Sequence, residues 1–216
     1  MQDKWFYAVH VNDVTILTEC IIKGFDIDMR DENGNYAIHY ATKSSNKNLL
    51  LFLIKNGADV NSRDLYGNTP IIIACSKGDV IISDILIKNG CDVNLRNKKY
   101  NTALHYAIHE STGTTILLLQ NGADINLLDS GGETPLLTAL KNGYSAIVSI
   151  FLQKYTEYVL KLMFYENYTI IKKSLFIFNI ENNIKMNKNT TICISDSIFD
   201  EYKNRIIIYS IGFERN

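Results

Sequence analysis

Lys55-Asn56-Gly57-Ala58-Asp59-Val60-Asn61 returns as Lys88-Asn89-Gly90-Cys91-Asp92-Val93-Asn94 and again as Gln120-Asn121-Gly122-Ala123-Asp124-Ile125-Asn126. A weaker copy, Lys23-Gly24-Phe25-Asp26-Ile27-Asp28, precedes them. The anchoring residues Gly24, Gly57, Gly90 and Gly122 lie 33, 33 and 32 positions apart. A second block repeats in phase with the first: Gly34-Asn35-Tyr36-Ala37-Ile38-His39, Gly67-Asn68-Thr69-Pro70-Ile71-Ile72, Asn101-Thr102-Ala103-Leu104-His105 and Gly132-Glu133-Thr134-Pro135-Leu136-Leu137. Two blocks recurring in register over this period mark a stacked repeat array.

Each block has a physical reading. The Thr hydroxyl can accept from a free N–H of a first helical turn. Pro at the first helical position loses an N–H that would have no partner there, which accounts for Pro70 and Pro135, the two prolines of the chain. A short helix follows, with small residues (Ala41, Ala74-Cys75, Ala107, Ala139) that let neighbouring helices approach. A second helix carries paired aliphatics, as in Leu49 to Ile54 and Ile81 to Ile87. Gly ends it in the left-handed conformation. The Asp-Val-Asn stretch leads into a turn such as Asp31-Glu32-Asn33-Gly34 or Asp64-Leu65-Tyr66-Gly67, read as a hairpin tip. One helix-turn-helix unit cannot bury its own apolar face, so the units must stack.

On these residues the chain resembles the ankyrin repeat family, whose period is about 33 residues with a Thr-Pro-Leu-His signature. The resemblance covers roughly residues 5–155 and implies an all-α ankyrin solenoid with β-hairpin loops. The units are placed at 31–63, 64–96, 97–128 and 129–155, after an N-terminal capping half-repeat at 1–30. Departures from the pattern set local expectations. Tyr36-Ala37 in place of Thr-Pro weakens that helix start, and Tyr100 in place of the turn Gly distorts its hairpin. The third unit is one residue short near Ser111–Thr115. Gln153-Lys154-Tyr155 replaces Lys-Asn-Gly, so the array is expected to end there.

The whole chain carries 22 basic and 23 acidic side chains, a net charge of −1, which removes the usual reason to expect a generic nucleic-acid binder. Cys20, Cys75, Cys91 and Cys193 are scattered without a C-x-x-C pair, unlike a disulfide framework or a zinc site, and fit a reducing, cytoplasmic setting. No apolar run approaches the roughly 20 residues of a membrane span, and Asp3, His10, Asn12 and Asp13 interrupt any secretory h-region.

From Thr156 to Asn216 the composition changes. Ile, Asn, Lys, Tyr and Phe supply 36 of the 61 residues, and neither Ala nor Pro occurs. Tyr158 to Tyr165 is expected as a helix covering the last repeat, Glu181 to Asn189 as a loop, and Phe176-Ile177-Phe178 and Ile206-Ile207-Ile208-Tyr209 as short apolar runs of open type. This bias, together with Tyr158 to Phe164, resembles poxviral ankyrin proteins, particularly avian-pox ones. Many of those end in an F-box-like motif, which residues 190–216 do not convincingly contain, so the chain is read as a shortened member.

Enzymatic readings find little support. His105 and His109 share a helical face four residues apart, as zinc ligands can, but His105 occupies the family's histidine slot, where the resemblance implies structural bonds between repeats. His39 reads alike, and His109 is expected to face solvent. Cys75 and Cys91 stand at Ala positions and read as packed small residues. No catalytic residue, metal site or cofactor is assigned.

The resemblance implies that partners contact the hairpin tips and the first-helix face, where loops on a rigid stack carry variation without cost to the core. Carried onto this chain, the surface comprises Arg63, Leu65, Tyr66, Arg96, Lys98, Lys99 and Tyr100 on the tips. On the first helices it comprises Tyr40, Lys43, Ser76, Lys77, Tyr106, His109 and Glu110. Tyr66, Arg96, Tyr100 and Tyr106 lead as hot-spot types. The Arg96–Tyr100 hairpin is the most basic, and reads either as a solvated loop or as a partner contact. The resemblance also suggests Asn61, Asn94 and Asn126 as targets of an asparaginyl hydroxylase, each with Leu eight residues earlier (Leu53, Leu86, Leu118). The simpler alternative is that each Asn ties its hairpin by hydrogen bonds. The expected function is protein–protein interaction by a monomer. The concrete version is a viral effector binding a host factor in the host cytoplasm; the alternative is a regulatory adaptor of a cell with an AT-rich genome.

Overall fold

The computed structural model describes residues 1–154. The expectations placed on Tyr158–Tyr165, Phe176–Phe178, Glu181–Asn189, residues 190–216 and Ile206–Tyr209 lie outside the described residues. The chain divides into two compact units, Met1–Ala139 and Leu140–Asn216.

In the first unit four helix pairs follow one another: α1 (Gln2–Val11) with α2 (Val14–Ile22), α3 (Ala37–Lys43) with α4 (Lys47–Lys55), α5 (Pro70–Cys75) with α6 (Val80–Lys88), and α7 (Ala103–Glu110) with α8 (Thr112–Gln120). Residues 1–30 thus hold both helices of a pair and lack only a preceding tip. The first helices pack in the order α1, α3, α5, α7, and the second helices α4, α6, α8 form a layer of their own. α9 (Pro135–Lys141) crosses the division, and the second unit holds α10 (Ser145–Lys154).

The core lies between the layers. Trp5, Leu17, Ile38, Leu49, Leu50, Leu53, Ile71, Ile72, Ile82, Leu86 and Leu104 are fully buried. Ala41, Ala74, Cys75 and Ala107 are buried on the first helices, as small residues at a close helix–helix approach should be.

Helix ends follow the phased glycines. At the end of α4, Gly57 has φ 95° and its N–H meets the Ile54 carbonyl, while the Ala58 N–H reaches back to Leu53. This is the Schellman pattern, which satisfies the last free carbonyls. Between α7 and α8 the shortened unit leaves no room for the left-handed residue that Ser45 (φ 53°) and Gly78 (φ 64°) supply elsewhere. Ser111 alone, extended at φ −158°, ends one helix and caps the next.

The Thr starts differ from the expected cap. At Thr134 the hydroxyl accepts from the Leu137 N–H at 3.2 Å, as anticipated. At Thr102 it pairs instead with His105 Nδ1 at 2.8 Å. At Thr69 it is buried with no hydrogen-bond partner. Three positions after Thr102 stands His105, which offers a ring nitrogen, whereas Ile72 and Leu137 stand there after Thr69 and Thr134. Thr69→Val therefore removes an unsatisfied buried hydroxyl at near-constant volume and should raise stability by about 1 kcal/mol. Thr102→Val breaks a made bond and should lower it. Chemical denaturation of the two variants checks the opposite signs.

The start at Tyr36 has neither a hydroxyl cap nor a proline, yet it keeps one closure. Its N–H donates to His39 Nδ1 at 3.2 Å, the same closure that the Thr102 N–H makes with His105 at 3.1 Å.

Candidate functional site

Each tip is built around one Asp or Asn side chain. In the second, the Asp64 N–H donates to the Asn68 carbonyl at 3.0 Å and the Gly67 N–H to the Asp64 carbonyl at 2.9 Å. Asp64 Oδ1 accepts from the Tyr66 and Asn68 N–H groups, both at 2.8 Å. The side chain thus takes the bond that a second ladder rung would have used. Consistent with that, none of the described residues forms a β-strand. Asp31 and Asp129 close their tips the same way. In the third tip the slot holds Asn97, whose Oδ1 accepts from Lys99 and Asn101. The geometry survives there without the negative charge.

Tyr100 adopts φ 62°, where Gly34, Gly67 and Gly132 take 68°, 76° and 76°. The hairpin is therefore not distorted, contrary to expectation. The Asx turn and the Lys98 N–H, bonded to the Tyr66 carbonyl at 3.0 Å, hold its backbone. The tyrosine absorbs the left-handed conformation, which costs a non-glycine residue about 1–2 kcal/mol. Its ring, half exposed, lies beneath the Arg96 guanidinium at 5.2 Å.

Around it stand most of the tip residues read from the sequence. Leu65 and Tyr66 are exposed, Tyr66 by 74%. Arg63 spans to the next tip, its Nη1 donating to the Arg96 carbonyl at 2.7 Å. Arg96, Lys98 and Lys99 are exposed, and among the described residues none of the three is in an ion pair.

The first-helix residues are more committed to the fold. Tyr40 is partly buried against Phe6 and His10 and donates its hydroxyl to Asp31. Tyr106 is partly buried, its hydroxyl accepting from Asn97 Nδ2 at 3.0 Å. Lys43 donates to Asn35 Oδ1 at 2.8 Å, and Lys77 to the Lys43 carbonyl at 2.6 Å. Ser76, His109 and Glu110 are exposed. Aligning the tips reveals two residues that reading by composition passed over. Arg30, Arg63, Arg96 and Leu128 occupy one slot, so arginines recur along three tips and an exposed leucine ends the row.

The histidines at 39 and 105 are structural. With Nδ1 accepting a backbone N–H, Nε2 must carry the proton. It donates to the Asn68 carbonyl from His39 (3.2 Å) and to the Glu133 carbonyl from His105 (3.3 Å). Burial pushes both rings below the ordinary histidine value of 6.5. A depressed value means the unfolded chain binds these protons first. The stabilisation is therefore complete above about pH 6.5 and is lost as pH falls through the lower folded values. The thermal midpoint should be level from about pH 7 to 8 and decline below about 6.5. An unchanged midpoint at about pH 5.5 would show that folding does not depress the two rings.

Candidate nucleophiles are inert. Burial pushes the Cys75 and Cys91 thiols up to about 12, so almost no thiolate exists at neutral pH. Among the described residues no group of three or more His, Cys, Asp and Glu side chains is placed to hold a metal ion. No helix among them is long and apolar enough to cross a membrane.

Two of the three asparagines do more than tie their own turns. Asn61 Oδ1 accepts from the Asp92 N–H, and Asn94 Oδ1 from the Asp124 N–H, both at 2.8 Å. Asn94 Nδ2 also donates to the Gly122 carbonyl at 3.0 Å. Each therefore bolts its unit to the next. Asn126 is exposed and bonds to Asp124.

A family model described as ankyrin repeats (3 copies) matches residues 5–97 and 81–161. A search of curated proteins finds no match.

Proposed function

This chain belongs to the ankyrin repeat family, and from that premise we propose that it is a non-catalytic module that captures a protein partner on its tips. The observation that carries the reading is the exposed cluster of Tyr66, Arg96 and Tyr100, held on a backbone bound from unit to unit. A rigid stack bearing variable side chains on turns is suited to recognition, since binding then orders little of the chain. The partner in this proposal is a host factor bound by a viral effector in the host-cell cytoplasm, with the protein acting as a monomer; the Ile- and Asn-rich composition after residue 155 supports that version. Genome context separates it from a cellular regulatory adaptor: neighbouring poxviral genes favour the effector, introns the adaptor.

The test is affinity capture from lysate with Tyr66, Arg96, Tyr100 and Tyr106 replaced together by alanine. Loss of the captured protein with a cooperative thermal transition retained supports the proposal, and capture equal to the parent's overturns it. Tyr106→Ala alone is the control, because its hydroxyl already serves Asn97.

Hydroxylation is proposed for Asn126 ahead of Asn61 and Asn94. Its exposure supports this, since the other two are partly buried and bonded to the next unit. Incubation with an asparaginyl hydroxylase and peptide mass mapping should place the first added oxygen atom on Asn126. First addition at Asn61 or Asn94 would refute that order.

A further inference from the structure

We propose that the second and third tips form a clamp for a carboxylate-rich segment of the partner protein, with Arg96 and Tyr100 at its centre. This deepens the interaction reading above and rests on it.

Charge makes the first argument. The third tip holds Arg96, Lys98 and Lys99, and the carboxylate found in the other three tips is Asn97 here. Arg63 is drawn to the same place by its bond to the Arg96 carbonyl, and that bond uses one N–H of a group with five. Four cations therefore converge on one turn. The tip acids on either side, Asp64 and Asp129, are each engaged by the backbone N–H groups of their own turns.

Backbone strain makes the second. Three tips place glycine at the left-handed position, and the third places tyrosine there. Such outliers persist where surrounding structure fixes them, and they collect at ligand clamps. In this conformation the Tyr100 ring supports the Arg96 guanidinium from one face. A planar guanidinium stacked on a ring presents its edge as a fork, which suits the two oxygens of a carboxylate. Tyr66 and Leu65, exposed on the preceding tip, supply apolar contact beside the charges.

The extent of the patch selects the ligand. On the first tip Arg30 is outweighed by Asp31 and Glu32, and the fourth carries Asp129 and Glu133, so net positive charge is confined to the centre of the row. A nucleic-acid strand needs a longer basic track. A short run of Glu or Asp side chains with one or two apolar residues matches the patch in both sign and length.

The experiment titrates the full chain into a fluorescent Glu-rich peptide containing leucine, with the same peptide carrying Gln at every Glu as control, and reads anisotropy. Binding of the Glu peptide that weakens with salt, with much weaker binding of the Gln peptide, is expected. The combined Arg96→Gln, Lys98→Gln and Lys99→Gln variant should bind on the order of tenfold or more weakly at an unchanged thermal midpoint. Tyr100→Gly should also bind more weakly while its midpoint rises by a few degrees, since relief of strain stabilises the turn. Equal binding of the Gln peptide, parental affinity in the triple variant or in Tyr100→Gly, or tighter binding of a single-stranded oligonucleotide would each overturn the clamp. If the triple Gln variant still captures the lysate partner and the four-alanine variant does not, the clamp falls and the interaction module stands. If neither set of changes alters capture, both fall.

Discussion

Leu86→Ala should cost about 3 kcal/mol, within the 2–5 kcal/mol that such truncations span. Against a total stability of about 5–15 kcal/mol, that is a large share. Leu86 is fully buried in α6, the second helix of the central pair, which packs on α4, α5 and α8. In a stacked array each unit is held by its own pair and its immediate neighbours. A cavity at this junction therefore weakens the unit and two interfaces together. Chemical denaturation should show a lower midpoint and a broader transition, as the segments on either side lose their coupling. A parental curve would mean that α6 repacks freely around the missing methyl groups.

His105→Ala is the second large effect, also about 3 kcal/mol. Part is lost packing of a ring that is 5% exposed. The rest comes from two groups that lose their partner, the Thr102 N–H and the Thr102 hydroxyl, while the Glu133 carbonyl loses one bond and keeps the Asp129 N–H. Each buried polar group left unsatisfied costs about 1–3 kcal/mol at full desolvation, although the Thr102 hydroxyl can turn to accept a backbone N–H as Thr134 does. His105→Leu keeps most of the volume and should cost less, which separates the packing share from the bonding share. The same variants should flatten the decline in midpoint below about pH 6.5, because one of the two depressed histidines is gone. A His105→Ala protein as stable as the parent would show that the ring fills space without fastening the units.

The array was readable because its signals are local. Glycine at 57, 90 and 122 and proline at 70 and 135 are forced by backbone geometry within a few residues of themselves, so their phase exposes the units directly. The missing residue near Ser111 was visible for the same reason: it shifts the count. Other features depend on what lies elsewhere. Whether a Thr hydroxyl caps a helix, pairs with a ring or stays alone turns on its surroundings and not on the Thr itself, as Thr134, Thr102 and Thr69 illustrate. Tyr100 reads as a broken turn in isolation and proves to be a turn held by its neighbours. At the candidate site the exposed Tyr66, Arg96 and Tyr100 were legible from residue type and phase. The fold's own claim on Tyr40 and Tyr106 was not, because their hydroxyl partners Asp31 and Asn97 sit nine residues away across a turn.

The bolts between units also bear on how the molecule would age. Slow loss of ammonia turns asparagine into aspartate, keeping an acceptor oxygen and deleting the amide donor. The first junction already works this way: Asp28 accepts the Asp59 N–H at 3.1 Å through a carboxylate. The Asn61 junction uses only the acceptor oxygen toward Asp92, so it would survive such conversion. The Asn94 junction would not survive intact, since its Nδ2 donates to the Gly122 carbonyl and a carboxylate there would face an oxygen. Chemical wear would thus open the stack first between the unit at 64–96 and the unit at 97–128.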